Sequence, residues 1–169
     1  MIPGLWIGNR EAACNIHLLR TIGVQACVNV TMQPNLHPDH FKYLHIPVND
    51  TPEQDLLPSN LPRVLAWVNS HITAGRTVLV YCHAGISRSA SVMLGLLLHV
   101  RGMSLLEAWT HLKKARPAVR PNEGFCRQLC ELERSLRGTN SAAVGPSHKA
   151  ALVPVSGGPS AAIQSHRHI

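Results

Sequence analysis

A chain of 169 residues with 45% hydrophobic and 15% charged residues has the size and balance of one globular domain, which excludes a disordered or coiled-coil protein. Its 16 Lys and Arg against 9 Asp and Glu give a formal charge of +7, a field that attracts anions, yet no run of five or six basic residues points to nucleic acid. The most apolar stretch, Val92 to Val100, is too short to span a bilayer, so membrane insertion is not expected either.

Strand candidates fall at Leu5 to Gly8, Ala26 to Thr31, Tyr43 to Val48 and Thr77 to Cys82, short apolar runs bounded by turn residues. A helical pattern runs from about Arg10 to Ile22 and stops at Gly23; a second follows Pro62 through Val64, Trp67 and Val68 to the breaker Gly75. Strand alternating with helix implies a single-domain α/β fold: a central, mostly parallel sheet of four to five strands flanked by helices. After the fourth strand the pattern is helical only, over Arg88 to Val100, Ser104 to Ala115 and Asn122 to Leu136. The second of these opens with Ser104-Leu105-Leu106-Glu107, a capping box. Residues 1–137 therefore read as the folded unit. From 138 to 169 there is no acidic residue and no sustained period, so a disordered tail is expected.

Five cysteines, Cys14, Cys27, Cys82, Cys126 and Cys130, are odd in number and irregularly spaced, which fits a reducing compartment, cytoplasm or nucleus, better than a disulfide scaffold. The N-terminus has no secretory pattern, so Asn29-Val30-Thr31 matches a glycosylation sequon by accident. The cluster Lys113, Lys114 and Arg116 reads as a solvated helix face.

Chemistry concentrates in Val78-Leu79-Val80-Tyr81-Cys82-His83-Ala84-Gly85-Ile86-Ser87-Arg88-Ser89, a buried strand running into a short loop and then a helix, with C-x5-R spacing. Such a turn can curl so that successive backbone N–H groups face inward and cradle a dianionic phosphate, and Gly85 allows a close approach that a side chain would block. The helix N-terminus, the amides and Arg88 all favour thiolate over thiol at Cys82. Arg88 has the planar fork that holds two phosphoryl oxygens. A bare C-x5-R pairing is more often a buried thiol and a solvated arginine. Here strand, glycine, following hydroxyl and helix all agree.

The segment Cys82 to Ser89 resembles the active-site signature of the protein tyrosine phosphatase superfamily, specifically an atypical dual-specificity phosphatase. Pro3-Gly4-Leu5-Trp6-Ile7-Gly8 is similar to that family's opening strand, Ile46-Pro47-Val48-Asn49-Asp50 to its general-acid segment, and Arg116-Pro117 through Pro121-Asn122-Glu123-Gly124-Phe125 to the start of its closing helix. Residues 3 to 137 are covered. The resemblance implies hydrolysis of phosphotyrosine and phosphoserine/threonine in proteins through a phosphocysteine intermediate, with no cofactor and no metal. It implies Cys82 as nucleophile, Arg88 and the amides of His83, Ala84, Gly85, Ile86, Ser87 and Arg88 as the phosphate site, and Ser89 as the hydroxyl that helps the thiolate leave. Ser89 also suits a plain helix-start hydroxyl.

The general acid lies among Asp39, Asp50 and Asp55. A loop at the strand end favours Asp50 moderately over Asp55, which could instead fix that loop, while Asp39 beside Pro38 suits a turn; the resemblance places the acid at Asp50. Asn122 could cap the last helix or, as the resemblance suggests, brace the phosphate loop. His83 reads as a rim residue. The family's usual His before the nucleophile is here Tyr81, which implies weaker turnover.

Phosphorylated proteins are the expected partners, since the loop has no lysine to grip further phosphates and the short chain leaves the pocket shallow. No docking module is expected before the first strand. Low-molecular-weight phosphatases and sulfurtransferases place or use the loop differently. A non-catalytic phosphoprotein-binding module on the same fold is the competing class, kept in view by Tyr81.

Overall fold

The computed structural model describes residues 2–145 and 152–154. Strands β1 (Leu5–Gly8), β2 (Val24–Asn29), β3 (Lys42–His45) and β4 (Thr77–Tyr81) form one sheet in the order β1-β4-β2-β3, with every pairing parallel. Because β4 is flanked on both sides, Ile7 and Val28 both register with Val80, and the strand must be apolar throughout. Its carboxyl end, where ligands sit in such sheets, opens at the middle of the molecule.

Alternation along the strands divides the core. Cys27, Leu79 and Tyr81 face Ala13 of α1 (Arg10–Cys14), Leu19 of α2 (Ile16–Thr21) and Phe41 in a smaller cluster. Ala26, Val28, Val78 and Val80 face the larger one, built with α3 (Leu57–Thr73), α4 (Arg88–Arg101), α5 (Leu105–Ala115) and α6 (Glu123–Arg137). Ser89 through Leu98 are all buried, so α4 runs through the core, and the residues that begin it are held from every side.

Local chemistry explains the helix starts. Ser104 Oγ accepts from Glu107 N at 3.3 Å while the Glu107 carboxylate accepts from Ser104 N at 2.8 Å, the capping box read from sequence. The expected helix from Arg10 to Ile22 is two helices. Asn15 breaks it, since its side chain accepts from Leu18 N at 2.9 Å and so caps α2. The helix expected after Pro62 starts five residues earlier, at Leu57, because Gln128 of α6 accepts from Leu56 N and Leu57 N at 3.1 and 2.9 Å. That cap comes from a residue 71 positions away from Leu57. The strand expected to reach Val48 stops at His45, before Pro47, which has no N–H for a ladder.

The expectation of a structureless chain from 138 is corrected at two places. β5 (Ala142–Val144) pairs antiparallel with β6 (Leu152–Pro154). The fully buried carboxylate of Glu133 accepts from Ser141 N at 2.8 Å, Ser141 Oγ at 2.6 Å and Leu105 N at 2.7 Å, tying the segment before β5 to α5 and α6. The remainder of the expected tail, 146–151 and 155–169, lies outside the described residues. Among the described residues no helix is long and apolar enough to cross a membrane.

Candidate active site

The loop between β4 and α4 is oriented by its carbonyls. Those of His83, Ala84, Gly85 and Ile86 accept in turn from Arg10 N (3.0 Å), Arg116 Nη2 (3.1 Å), Arg116 Nε (2.8 Å) and Arg120 N (2.8 Å). In a planar trans peptide the next N–H points opposite to the carbonyl. Four consecutive outward carbonyls therefore turn the N–H groups of Ala84, Gly85, Ile86 and Ser87 inward, over Cys82. The result is a concave row of donors adjoining the N-terminus of α4, a geometry that suits an anion.

Cys82 sits at its base, 1% exposed, and its Sγ accepts from Gly85 N and from Ser89 Oγ, each at 3.2 Å. Both donors stabilise negative charge on sulfur. Burial pushes the thiols of Cys27 and Cys126 each up to about 12, and that of Cys130 upward as well. Gly85 has φ 69°, and a Cβ there would stand 2.7 Å from the carbonyl oxygen of Gly8. The close approach that requires glycine is thus against the end of β1, a different neighbour from the phosphate expected from sequence.

Asp50 stands beside this loop. Its Oδ1 accepts from Ser87 Oγ at 2.6 Å and from Asn122 Nδ2 at 2.9 Å, and Asn122 N donates in turn to Ser87 Oγ at 3.0 Å. Oδ2 lies 3.6 Å from Arg88 Nε, and Arg88 Nη1 donates to Val48 O at 3.1 Å. Arg88 Nε is buried without a hydrogen-bond partner among the described residues, which leaves a guanidinium donor uncommitted at the loop. Asp55 is elsewhere: its carboxylate accepts from Ser59 N and Ser59 Oγ at the first turn of α3. Asp39 lies in the turn before β3. Asn122 also caps α6, since its Oδ1 accepts from Phe125 N at 2.9 Å. His83 is exposed.

Tyr81, the departure from the family pattern, is fully buried in the smaller cluster, on the face of the sheet away from the larger cluster that contains Cys82. Its hydroxyl has no hydrogen-bond partner among the described residues, and burial pushes its proton affinity up.

Three supports escaped the sequence reading. Arg116 bridges two loop carbonyls, although only its place in the resemblance was visible. At Gly124 a Cβ would fall 1.8 Å from Pro52 O, so only glycine lets α6 meet the segment after Asp50. Gln128 donates to Gln54 O at 2.7 Å while capping α3. The signal available was glycine one residue inside a helix start, a position with no local need for it. Among the described residues no group of three or more His, Cys, Asp or Glu is placed to hold a metal ion.

Known proteins resemble this chain in sequence and fold. The family model described as dual specificity phosphatase, catalytic domain, matches residues 5–135. Dual specificity phosphatase 28 of Homo sapiens is 40% identical over 136 residues, covering 80% of this chain and 77% of that protein. The crystal structure of human DUSP28 superposes with a TM-score of 0.76 at 39% identity over 80% of this chain and 95% of that one. A mouse dual specificity phosphatase complexed with zinc tungstate gives 0.75 at 40% identity, over 80% and 86%. With the signature loop, the sheet and the family match all in agreement, the chain belongs to the dual specificity phosphatases, cysteine-based enzymes that hydrolyse phosphotyrosine and phosphoserine/threonine in proteins through a phosphocysteine intermediate.

Proposed function

We propose that Cys82, Arg88, Asp50 and Ser89 carry this reaction. The observation that supports it most is the pair of donors on Cys82 Sγ, Gly85 N and Ser89 Oγ, beneath a loop whose amides face the same point. In the first step Sγ attacks phosphorus, the bond to the leaving oxygen breaks, and Asp50 supplies that oxygen with a proton. Ser87 and Asn122 both donate to Oδ1, so Oδ2 is the oxygen free to carry it. Arg88 exchanges Val48 O and Asp50 for two phosphoryl oxygens as the dianion enters. In the second step water attacks the phosphocysteine, the Asp50 carboxylate takes its proton, and the departing thiolate keeps the Ser89 hydroxyl bond. Both steps run on protein groups and water.

The catalytic unit is 1–137, and the substrates are phosphoproteins of the cytoplasm or nucleus, admitted to a shallow pocket rimmed by His83. A tetrahedral oxyanion such as the tungstate of the mouse relative is the natural occupant of the nest. The test is turnover of p-nitrophenyl phosphate without added metal. Wild type should be active, Cys82→Ser inactive, and Asp50→Asn slower by about 10² to 10⁴ on a poor leaving group. Phosphopeptide binding without turnover by the wild type would instead favour the non-catalytic module.

A further inference from the structure

A second concave site lies at the opposite end of the sheet. A cleft of about 420 Å³ at the amino ends of β2, β3 and β4 is lined by Arg20, Lys42, Arg76, His40, Phe41 and Asp39, among others. Arg20 Nη2 is 3.3 Å from His40 Nδ1, which holds one guanidinium at the wall. The side chains of Lys42 and Arg76 make no ion pair or hydrogen bond among the described residues; the ion pairs there are those of Arg88 with Asp50 and of Arg127 with Glu123. Three cations thus converge on one hollow, and among the described residues Asp39 is the one carboxylate in its lining.

From Arg76 to Cys82 the chain runs the length of β4, about 20 Å at roughly 3.3 Å per residue. At that separation these side chains contact neither the thiol nor a phosphate bound above it. The cations come from three separate segments, α2 (Arg20), β3 (Lys42) and the residue before β4 (Arg76). Dispersed point charges match carboxylates spaced along a chain better than one compact phosphate.

We propose that this cleft docks an acidic, Asp- or Glu-rich segment of the phosphoprotein substrate. The proposal rests on the phosphatase reading only for the existence of such a substrate. An extended chain needs at least about six residues to bridge cleft and nucleophile.

The experiment compares phosphotyrosine peptides that carry a run of glutamates or of glutamines about ten residues before or after the phosphotyrosine. On wild type one glutamate peptide should show about fivefold to tenfold higher kcat/KM than its glutamine counterpart, an advantage that shrinks as salt is raised. R20Q/K42Q/R76Q should lose that advantage and keep wild-type turnover of p-nitrophenyl phosphate. Equal rates for both tails on wild type, an advantage retained in the triple variant, or a tail bearing one phosphoserine outperforming the glutamates would overturn the proposal. Should the triple variant not fold, amide shifts of the wild type titrated with the glutamate segment alone decide: changes at Gln25, Lys42 and Arg76 support the cleft, and changes at His83 to Arg88 overturn it. That titration does not depend on turnover, so loss of p-nitrophenyl phosphate hydrolysis by the wild type would refute the catalytic assignment separately.

Discussion

Asn122 holds Asp50 and the start of α6 with the two ends of one amide: Nδ2 donates to Asp50 Oδ1 and Oδ1 accepts from Phe125 N, both at 2.9 Å. The aspartate's position is therefore fixed to the helix that also presses Gly124 against Pro52.

Two variants separate those jobs. Asn122→Ala should lose both, destabilising by about 0.5–2 kcal/mol through the cap and slowing turnover of alkyl or unsubstituted phenyl phosphates more than that of p-nitrophenyl phosphate, whose leaving group needs less protonation. Asn122→Asp keeps a capping oxygen but turns a lone pair and a charge toward Asp50. Its melting temperature should stay near wild type while the same leaving-group penalty appears. Equal loss on both substrate classes would show that the amide merely supports the fold.

Arg116 sets the loop by its fork. Its Nε and Nη2 take neighbouring carbonyls, and lysine has one ammonium in place of that planar pair. Arg116→Lys and Arg116→Ala should each weaken vanadate binding and lower kcat/KM about tenfold to a hundredfold, the scale expected when a reacting group is displaced by about 1 Å. Undiminished vanadate affinity in both would remove Arg116 from the assignment.

The thiols should divide by environment. With burial holding Cys27 and Cys126 at about 12, the thiolate fraction of each at neutral pH is on the order of 10⁻⁵, and both should resist iodoacetate in the native state. In a Cys14→Ser background, which removes the exposed thiol, alkylation mapped by mass spectrometry should fall on Cys82 alone and be blocked by vanadate. As pH rises toward 12 the protection of Cys27 and Cys126 should fade, because their ionised fraction grows tenfold per pH unit.

Tyr81 carries a buried hydroxyl without a partner. Tyr81→Phe should therefore stabilise the protein by about 1 kcal/mol and raise its melting temperature by a few degrees. Tyr81→His restores the family's residue and should shift the pH dependence of Cys82 alkylation together with turnover. Superimposable alkylation curves would defeat the expectation that Tyr81 weakens turnover.

The sequence alone determined what depends on near neighbours. Strand, loop and helix from Thr77 to Arg101 are contiguous, so the placing of Cys82 and Arg88 at the two ends of one loop follows from spacing, and the box at Ser104 to Glu107 closes within one turn. Tertiary structure decided which aspartate faces the loop, since the bonds that separate Asp50 from Asp55 come from Ser87 and Asn122, 37 and 72 positions away from Asp50. It likewise decided the early start of α3 and the part played by Arg116, each made by a partner on another element. A hydrogen bond between distant residues leaves no period or punctuation in the chain. It exists only once helices have packed and brought the donor to its acceptor.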